Sequence, residues 1–264
     1  MRCAYRERRY ECGGYLEVEI YPVFRKAGKR SGRAKPTSEV RARLNDRNAE
    51  RQLVRLLNAN FTAKDLELHL TYEDGNMPAD EGEARRDIKN YLRRVKRLYK
   101  RLGVELKYIY VIEGGDGKRW HFHITLLGGV DRDALEAAWG YGYANCRRLQ
   151  FNENGVEGLA KYITKQFRLD SEEGRAAYER RWSCSKNLQR PEPKERDGRF
   201  SQRQVRELAT VEVESREPFE RLYPGYYLSR VTATENQVNG GYYMHLRLYR
   251  VGTDLAGRRR KSVR

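Results

Sequence analysis

The stretch RWHFHITLL (119–127) places two of the chain's four histidines one residue apart in an apolar segment. In an extended chain, residues two apart share a face. His121, His123 and Thr125 therefore project together, and Phe122, Ile124 and Leu126 face the other way. The preceding run VELKYIYVIE (104–113) is also strand-like, and GGDGK between the two reads as a hairpin turn. A regular hairpin centred near Gly117 sets Glu113 opposite His121, and directly opposed residues share a face. Two imidazoles beside one carboxylate suit a divalent cation with open coordination positions, Mn²⁺ or, less comfortably, Mg²⁺. A slip of one residue would turn Glu113 away.

Two further groups carry chemistry-bearing side chains. In NGVEGLAKYITKQF (154–167) the apolar stripe Val156, Leu159, Ala160, Ile163 and Phe167 marks a helix, with Asn154 as cap. Tyr162 and Lys165, three apart, share a flank next to that stripe. Taken alone, Tyr162 reads as a packing residue with its hydroxyl at the rim, and Lys165 as a snorkelling surface lysine. HLT (69–71) and HIT (123–125) form a pair of H-x-T triplets, a pattern of metal-independent two-histidine phosphoesterases acting on RNA ends.

The elements that must position these residues are legible in outline. LELHLTY (66–72) is a strand. Residues 80–103 form a helix capped by Asp80, with Glu83 at the capping-box position and Gly103 at its end. Its apolar stripe is Ala84, Ile88, Tyr91, Val95, Leu98 and Leu102, and its other faces are crowded with Arg and Lys. After the hairpin come a short helix (RDALEAAWG), a strand (YANCRRLQF) and the 154–167 helix. The order β-α-β-β-α-β-α predicts an α+β fold: an antiparallel sheet of split β-α-β, ferredoxin-like topology with helices on one face.

Three regions follow: an N-terminal strand and helix extension (1–60), the core (61–168), and a C-terminal extension (169–264). In the first, GYLEVEIYPVF (14–24) alternates like a strand and residues 38–61 read as one or two helices. In the last, RPEPKERDGR (190–199) reads as a linker or loop and FSQRQVRELA as a helix. Residues 225–249 read as a closing β-hairpin, followed by a basic tail.

Composition narrows the partner. Lys and Arg total 54 against 37 Asp and Glu, a net charge of +17 over 264 residues. That excess fits a polyanion, nucleic acid first, better than a small metabolite. No apolar run approaches a membrane span, and no signal-peptide core follows the first methionine. Cys3, Cys12, Cys146 and Cys184 form no CxxC pair, which argues against a zinc finger or a secreted disulfide framework and for reduced thiols in a cytosol. No GxxxxGK[ST] motif provides a P-loop for ATP.

In their order along the chain, LHLTY (68–72), VIEGG (111–115), HFHI (121–124) and YITK (162–165) resemble the HUH endonuclease superfamily. Within it they are closest in pattern to single-tyrosine rolling-circle replication initiators of phages and plasmids. RWSCSKNL (181–188) is loosely similar to a downstream segment of phage initiators. The resemblance spans about residues 60–168. It implies metal ligation by Glu113, His121 and His123, nucleophilic attack by Tyr162, and phosphate or water placement by Lys165. The implied reaction nicks single-stranded DNA at an origin or origin hairpin, leaving a 5′-phosphotyrosine and a 3′-hydroxyl primer for rolling-circle replication.

That resemblance also implies a bacterial cytoplasm, with a host helicase and DNA polymerase as partners. Position 166 is Gln where phage initiators often carry a second tyrosine, so one protomer offers one nucleophile. Tyr108, Trp120 and Tyr143 are candidates for stacking on unpaired bases. Other readings are an HUH relaxase or transposase, the two-histidine phosphoesterase, and a non-catalytic basic nucleic-acid-binding protein. Relaxases usually place the tyrosine before the histidines, the reverse of this order.

Overall fold

A computed structural model describes residues 4–23, 39–115, 117–151, 156, 182–211, 215–236 and 240–251. Its chain is α+β, with two antiparallel five-stranded sheets. The central unit runs β3 (Leu66–Tyr72), α2 (Glu81–Arg101), β4 (Tyr108–Gly115), β5 (Lys118–Leu126), α3 (Arg132–Ala137) and β6 (Gly142–Arg148). This is the expected order. With β7 (Ser183–Cys184) at one edge, the strands lie β6-β3-β5-β4-β7.

One face of this sheet is built of Leu66, Leu68, Leu70, Tyr72, Phe122, Ile124 and Leu126, packed against α2 and α3 in a common core. α2 begins as predicted, with the Asp80 carboxylate accepting from the Glu83 N–H at 2.7 Å. The Glu83 carboxylate reaches back one residue further than a standard box, to the Ala79 N–H. Gly103 (φ 68) closes the helix by donating to Lys100 O. The buried stripe differs from the predicted one at its end: Tyr99 is buried, Leu98 is only half-buried, and Leu102 is 54% exposed. Leu102 sits at the C-cap, where the 3.6-residue period no longer governs, and Tyr99 continues the 84-88-91-95 progression.

The second sheet has the order β8-β1-β2-β10-β9. It joins β1 (Ala4–Cys12) and β2 (Tyr15–Val23) to β8 (Lys194–Asp197), β9 (Tyr226–Asn236) and β10 (Gly241–Arg250). Strands from both ends of the chain thus share one sheet. Its outer face packs under α4 (Gln202–Thr210) and α5 (Glu217–Leu222) through Val18, Ile20, Val205, Phe219 and Leu246. Its inner face meets α1 (Glu39–Asn60), a single helix, where Leu53 and Leu57 pack with Tyr10, Tyr15 and Tyr249 and also with Ile109 and Val111 of β4.

Two segments differ from expectation. The stretch expected as a linker contains β8, an edge strand that pairs with β1 from Arg6↔Asp197 to Arg9↔Lys194. All four of its residues are exposed, and ion pairs such as Arg6–Asp197 (2.6 Å) and Arg8–Glu195 (2.6 Å) fasten it. Such a strand has no apolar alternation to reveal it. β1 likewise hides among charges, because one of its inward residues is Glu7, fully buried and held by Tyr223 (2.7 Å) and Arg199.

Candidate metal and nicking site

Alternation along β5 divides its side chains as the sequence predicts: Phe122, Ile124 and Leu126 enter the α2 core, so His121, His123 and Thr125 face the opposite side. The hairpin register pairs Glu113 with His121. A bulge between Glu113 and Gly115 shifts the pairing only beyond that rung. Gly114 (φ 136) permits it, since a β-carbon there would lie 2.6 Å from the Trp120 α-carbon.

The Glu113 carboxylate therefore meets both imidazoles. Its Oε2 lies 3.0 Å from His121 Nε2 and 3.6 Å from His123 Nε2. His121 Nδ1 donates to Arg119 O at 3.1 Å, which orients the ring with Nε2 inward. Glu113 is 7% exposed, and its Oε1 has no hydrogen-bond partner among the described residues. Burial alone would raise this carboxyl, but the hydrogen bonds and charge of His121 and His123 prevail and hold it at about 2. The same hydrogen bond raises His121 above its ordinary value, with burial opposing.

These donors fit a divalent cation. Bonds of about 2.1 Å place neighbouring ligand atoms about 3.0 Å apart at a right angle and about 3.6 Å apart at 120°. Both separations are already present, and the unpartnered carboxylate oxygen supplies a further donor. Glu113, His121 and His123 bring one ligand atom each to within 4.8 Å of one another.

A second group, Glu67, His69 and His123, meets the same distance limit. β3 lies beside β5 with His69 opposite His123 and Thr71 opposite His121. The His69 and His123 rings meet edge-on with centroids 3.7 Å apart. Burial, reinforced by His123, lowers His69 to about 4, so at neutral pH it is an uncharged imidazole. On the solvent side Arg147 Nε and Nη2 both approach Glu67 Oε2 at 3.2 Å. The H-x-T pairing brought His69 into the sequence reading, but not as a neighbour of the metal ligands. Alternation in LELHLTY shows His69 turned away from the core, but only the strand order shows what it faces. The ring contact also leaves no room for a phosphate between the two H-x-T histidines.

On the far side of β3, β6 adds Tyr143 opposite Thr71 and Asn145 opposite His69. The face thus carries the rung Tyr143–Thr71–His121–Glu113, with Tyr143 73% exposed. Tyr108 and Trp120, the other candidates for stacking, are partly buried against the α2 core. Tyr162 and Lys165 lie outside the described residues. Val156, of the stripe predicted for their helix, is fully buried in the cluster that contains Ile109 and Val111. Cys12, Cys146 and Cys184 are free thiols, and no helix among the described residues is long and apolar enough to cross a membrane.

The class of protein suggested by this sheet and its Glu-His-His cluster agrees with comparison to known families. Residues 66–167 match the model of a family of replication-associated proteins, that of ORF2 and the gene 2 protein. The matched span starts at β3, includes the whole metal-binding face, and extends through Tyr162 and Lys165. It supports a role in replication. No curated protein and no solved structure gives a significant match to the chain.

Proposed function

We propose that this chain is a replication initiator of the HUH type that nicks single-stranded DNA by transesterification. The observation that carries the reading is the convergence of Glu113, His121 and His123 on one point of the sheet face, within a span matching a replication-associated family. In this reading the phenolic oxygen of Tyr162 attacks the scissile phosphorus and loses its proton. The bond from phosphorus to the 3′-oxygen breaks, and that oxygen leaves as the 3′-hydroxyl after taking up a proton. The product is a 5′-phosphotyrosine. Phosphodiester is exchanged for phosphodiester, so rejoining needs no ATP.

A phenol with an ordinary pKa near 10 is mostly protonated at neutral pH, and an alkoxide is a poor leaving group. A divalent cation, Mn²⁺ or Mg²⁺, held by Glu113, His121 and His123 would supply charge to polarise the phosphate and the departing oxygen. Arg119 O keeps His121 Nε2 directed inward for that task, Lys165 places the phosphate, and the excess positive charge gathers the strand.

The test is direct. The full chain is incubated with single-stranded origin DNA and Mn²⁺ and resolved on a denaturing gel. A covalent protein–DNA adduct, absent in Tyr162→Phe and abolished by EDTA, is the expected result. Cleavage that survives Tyr162→Phe, or that proceeds in EDTA, would overturn it.

A further inference from the structure

On the opposite side of the central sheet from Glu113 and the histidines, a groove of about 590 Å³ runs between α2 and the segment after β7. Lys89, Arg93 and Lys96 stand along one wall and Lys186 on the other, and all four are exposed. Leu92, Leu106 and Tyr108 form an apolar floor, and Glu105 is the one acidic group lining it. None of the four cations forms an ion pair among the described residues. Arginines on exposed helix faces elsewhere are partnered one turn away, as in Arg85–Glu81, Arg203–Glu207 and Arg221–Glu217.

The spacing costs the fold something. Lys89 and Arg93 are four apart and Arg93 and Lys96 three apart, so like charges adjoin along one helix face and destabilise it. Nothing in the described structure offsets that repulsion, but a row of phosphates would. The apolar floor adds a requirement that a duplex, with its bases stacked inside, does not meet. Unpaired bases have apolar faces to lay on Leu92, Leu106 and Tyr108, while their phosphates reach the lysines and the arginine.

We infer that this groove is a second binding site for single-stranded DNA, holding a part of the strand distinct from the part at the Glu113–His121–His123 face. The inference rests on the reading of the chain as a DNA-acting protein, but not on the nicking step.

The experiment compares the full chain with a variant carrying Lys89→Gln, Arg93→Gln, Lys96→Gln and Lys186→Gln. Glutamine keeps helix propensity while removing charge. A control variant, Arg196→Gln, Arg203→Gln, Arg206→Gln and Arg216→Gln, lowers the net charge equally at exposed positions of the other unit. Affinity for a long single strand is measured across salt concentrations by fluorescence anisotropy. Each lost phosphate contact flattens the log–log salt slope by about 0.7. The groove variant is expected to flatten it by about 3 and to bind at least about tenfold more weakly, while Mn²⁺ affinity is unchanged and the control loses much less.

Equal losses in the two variants would reduce the effect to net charge and overturn the site. So would unchanged single-strand affinity, including the case in which only retention on anionic vesicles falls. A larger loss for duplex than for single strand would overturn the assigned ligand. Failure of the wild-type chain to form a covalent adduct would remove the nicking reading and leave this measurement intact.

Discussion

Glu113 and His121 face each other across the β4–β5 hairpin with Oε2 and Nε2 3.0 Å apart, and the same oxygen lies 3.6 Å from His123. One carboxylate thus gathers both imidazoles before any cation is present. Glu113→Gln keeps the shape and removes the charge. Mn²⁺ affinity, measured by calorimetry, should fall at least about tenfold, and the thermal stabilisation given by Mn²⁺ should vanish. His121, losing the partner that raises it, should titrate lower by NMR. Unchanged Mn²⁺ affinity in Glu113→Gln would dismantle the metal centre.

The same pair sets opposing pH trends. Glu113 is held low, so its contribution to stability is present above its ordinary pKa near 4.5 and fades as pH falls toward about 2. His121 is raised, so its contribution is complete below about 6.5 and is lost as pH rises through its elevated pKa. Without metal, the pair should stabilise the hairpin most between about pH 4.5 and 6.5. A cation needs the bare Nε2, so Mn²⁺ affinity should climb with pH as His121 gives up its proton. Calorimetry in buffers of different ionisation enthalpy would count that proton. A flat affinity from pH 5.5 to 8.5 would contradict the assignment.

How much of this site the sequence disclosed depends on how local each relationship is. Glu113 opposite His121 follows from turn residues and alternation, because a hairpin's register is set within about ten residues of chain. His69 opposite His123 depends on β3 lying beside β5, which no local period encodes. The fold shows the same divide. α2, β3, β4 and β5 announce themselves by apolar periodicity. β8 has no buried face and is fastened by Arg6 and Arg8, nearly two hundred residues away.

His69 offers a graded test. Its ring lies edge-on against His123 at 3.7 Å. His69→Ala opens space there and lets His123 tilt, so Mn²⁺ affinity should weaken a few-fold, less than in Glu113→Gln. A loss as large as that of Glu113→Gln would make His69 itself a ligand. NMR should find His69 uncharged down to about pH 5, since burial holds it at about 4.

Away from the site, Glu17 is 1% exposed and binds Arg55 at 2.6 and 3.0 Å and His245 Nε2 at 2.8 Å. Burial would raise this carboxyl, but the His245 and Arg55 hydrogen bonds hold it at about 2. Glu17→Gln strands the Arg55 charge and should cost about 3 kcal/mol at pH 7 by urea denaturation. The wild-type contribution is present above about pH 4.5 and is lost as pH falls toward 2, so the gap between the two proteins should narrow on acidification. A gap that is constant from pH 7 to 3 would show that Glu17 acts by packing alone.

Tyr143 is 73% exposed and stands on the rung that leads through Thr71 to His121 and Glu113. An aromatic ring left in water gains nothing for the fold, but beside a nicking site it offers a platform for the base next to the scissile phosphate. Stacking on one base is worth about 1–3 kcal/mol. Tyr143→Ala should therefore weaken single-strand binding by roughly five- to over a hundredfold, with folding stability nearly unchanged, and Tyr143→Phe should retain wild-type affinity. If Phe fails as badly as Ala, the hydroxyl and not the ring makes the contact. If Ala binds as tightly as wild type, the strand does not cross this edge of the sheet and must reach the metal ligands from the β4 side.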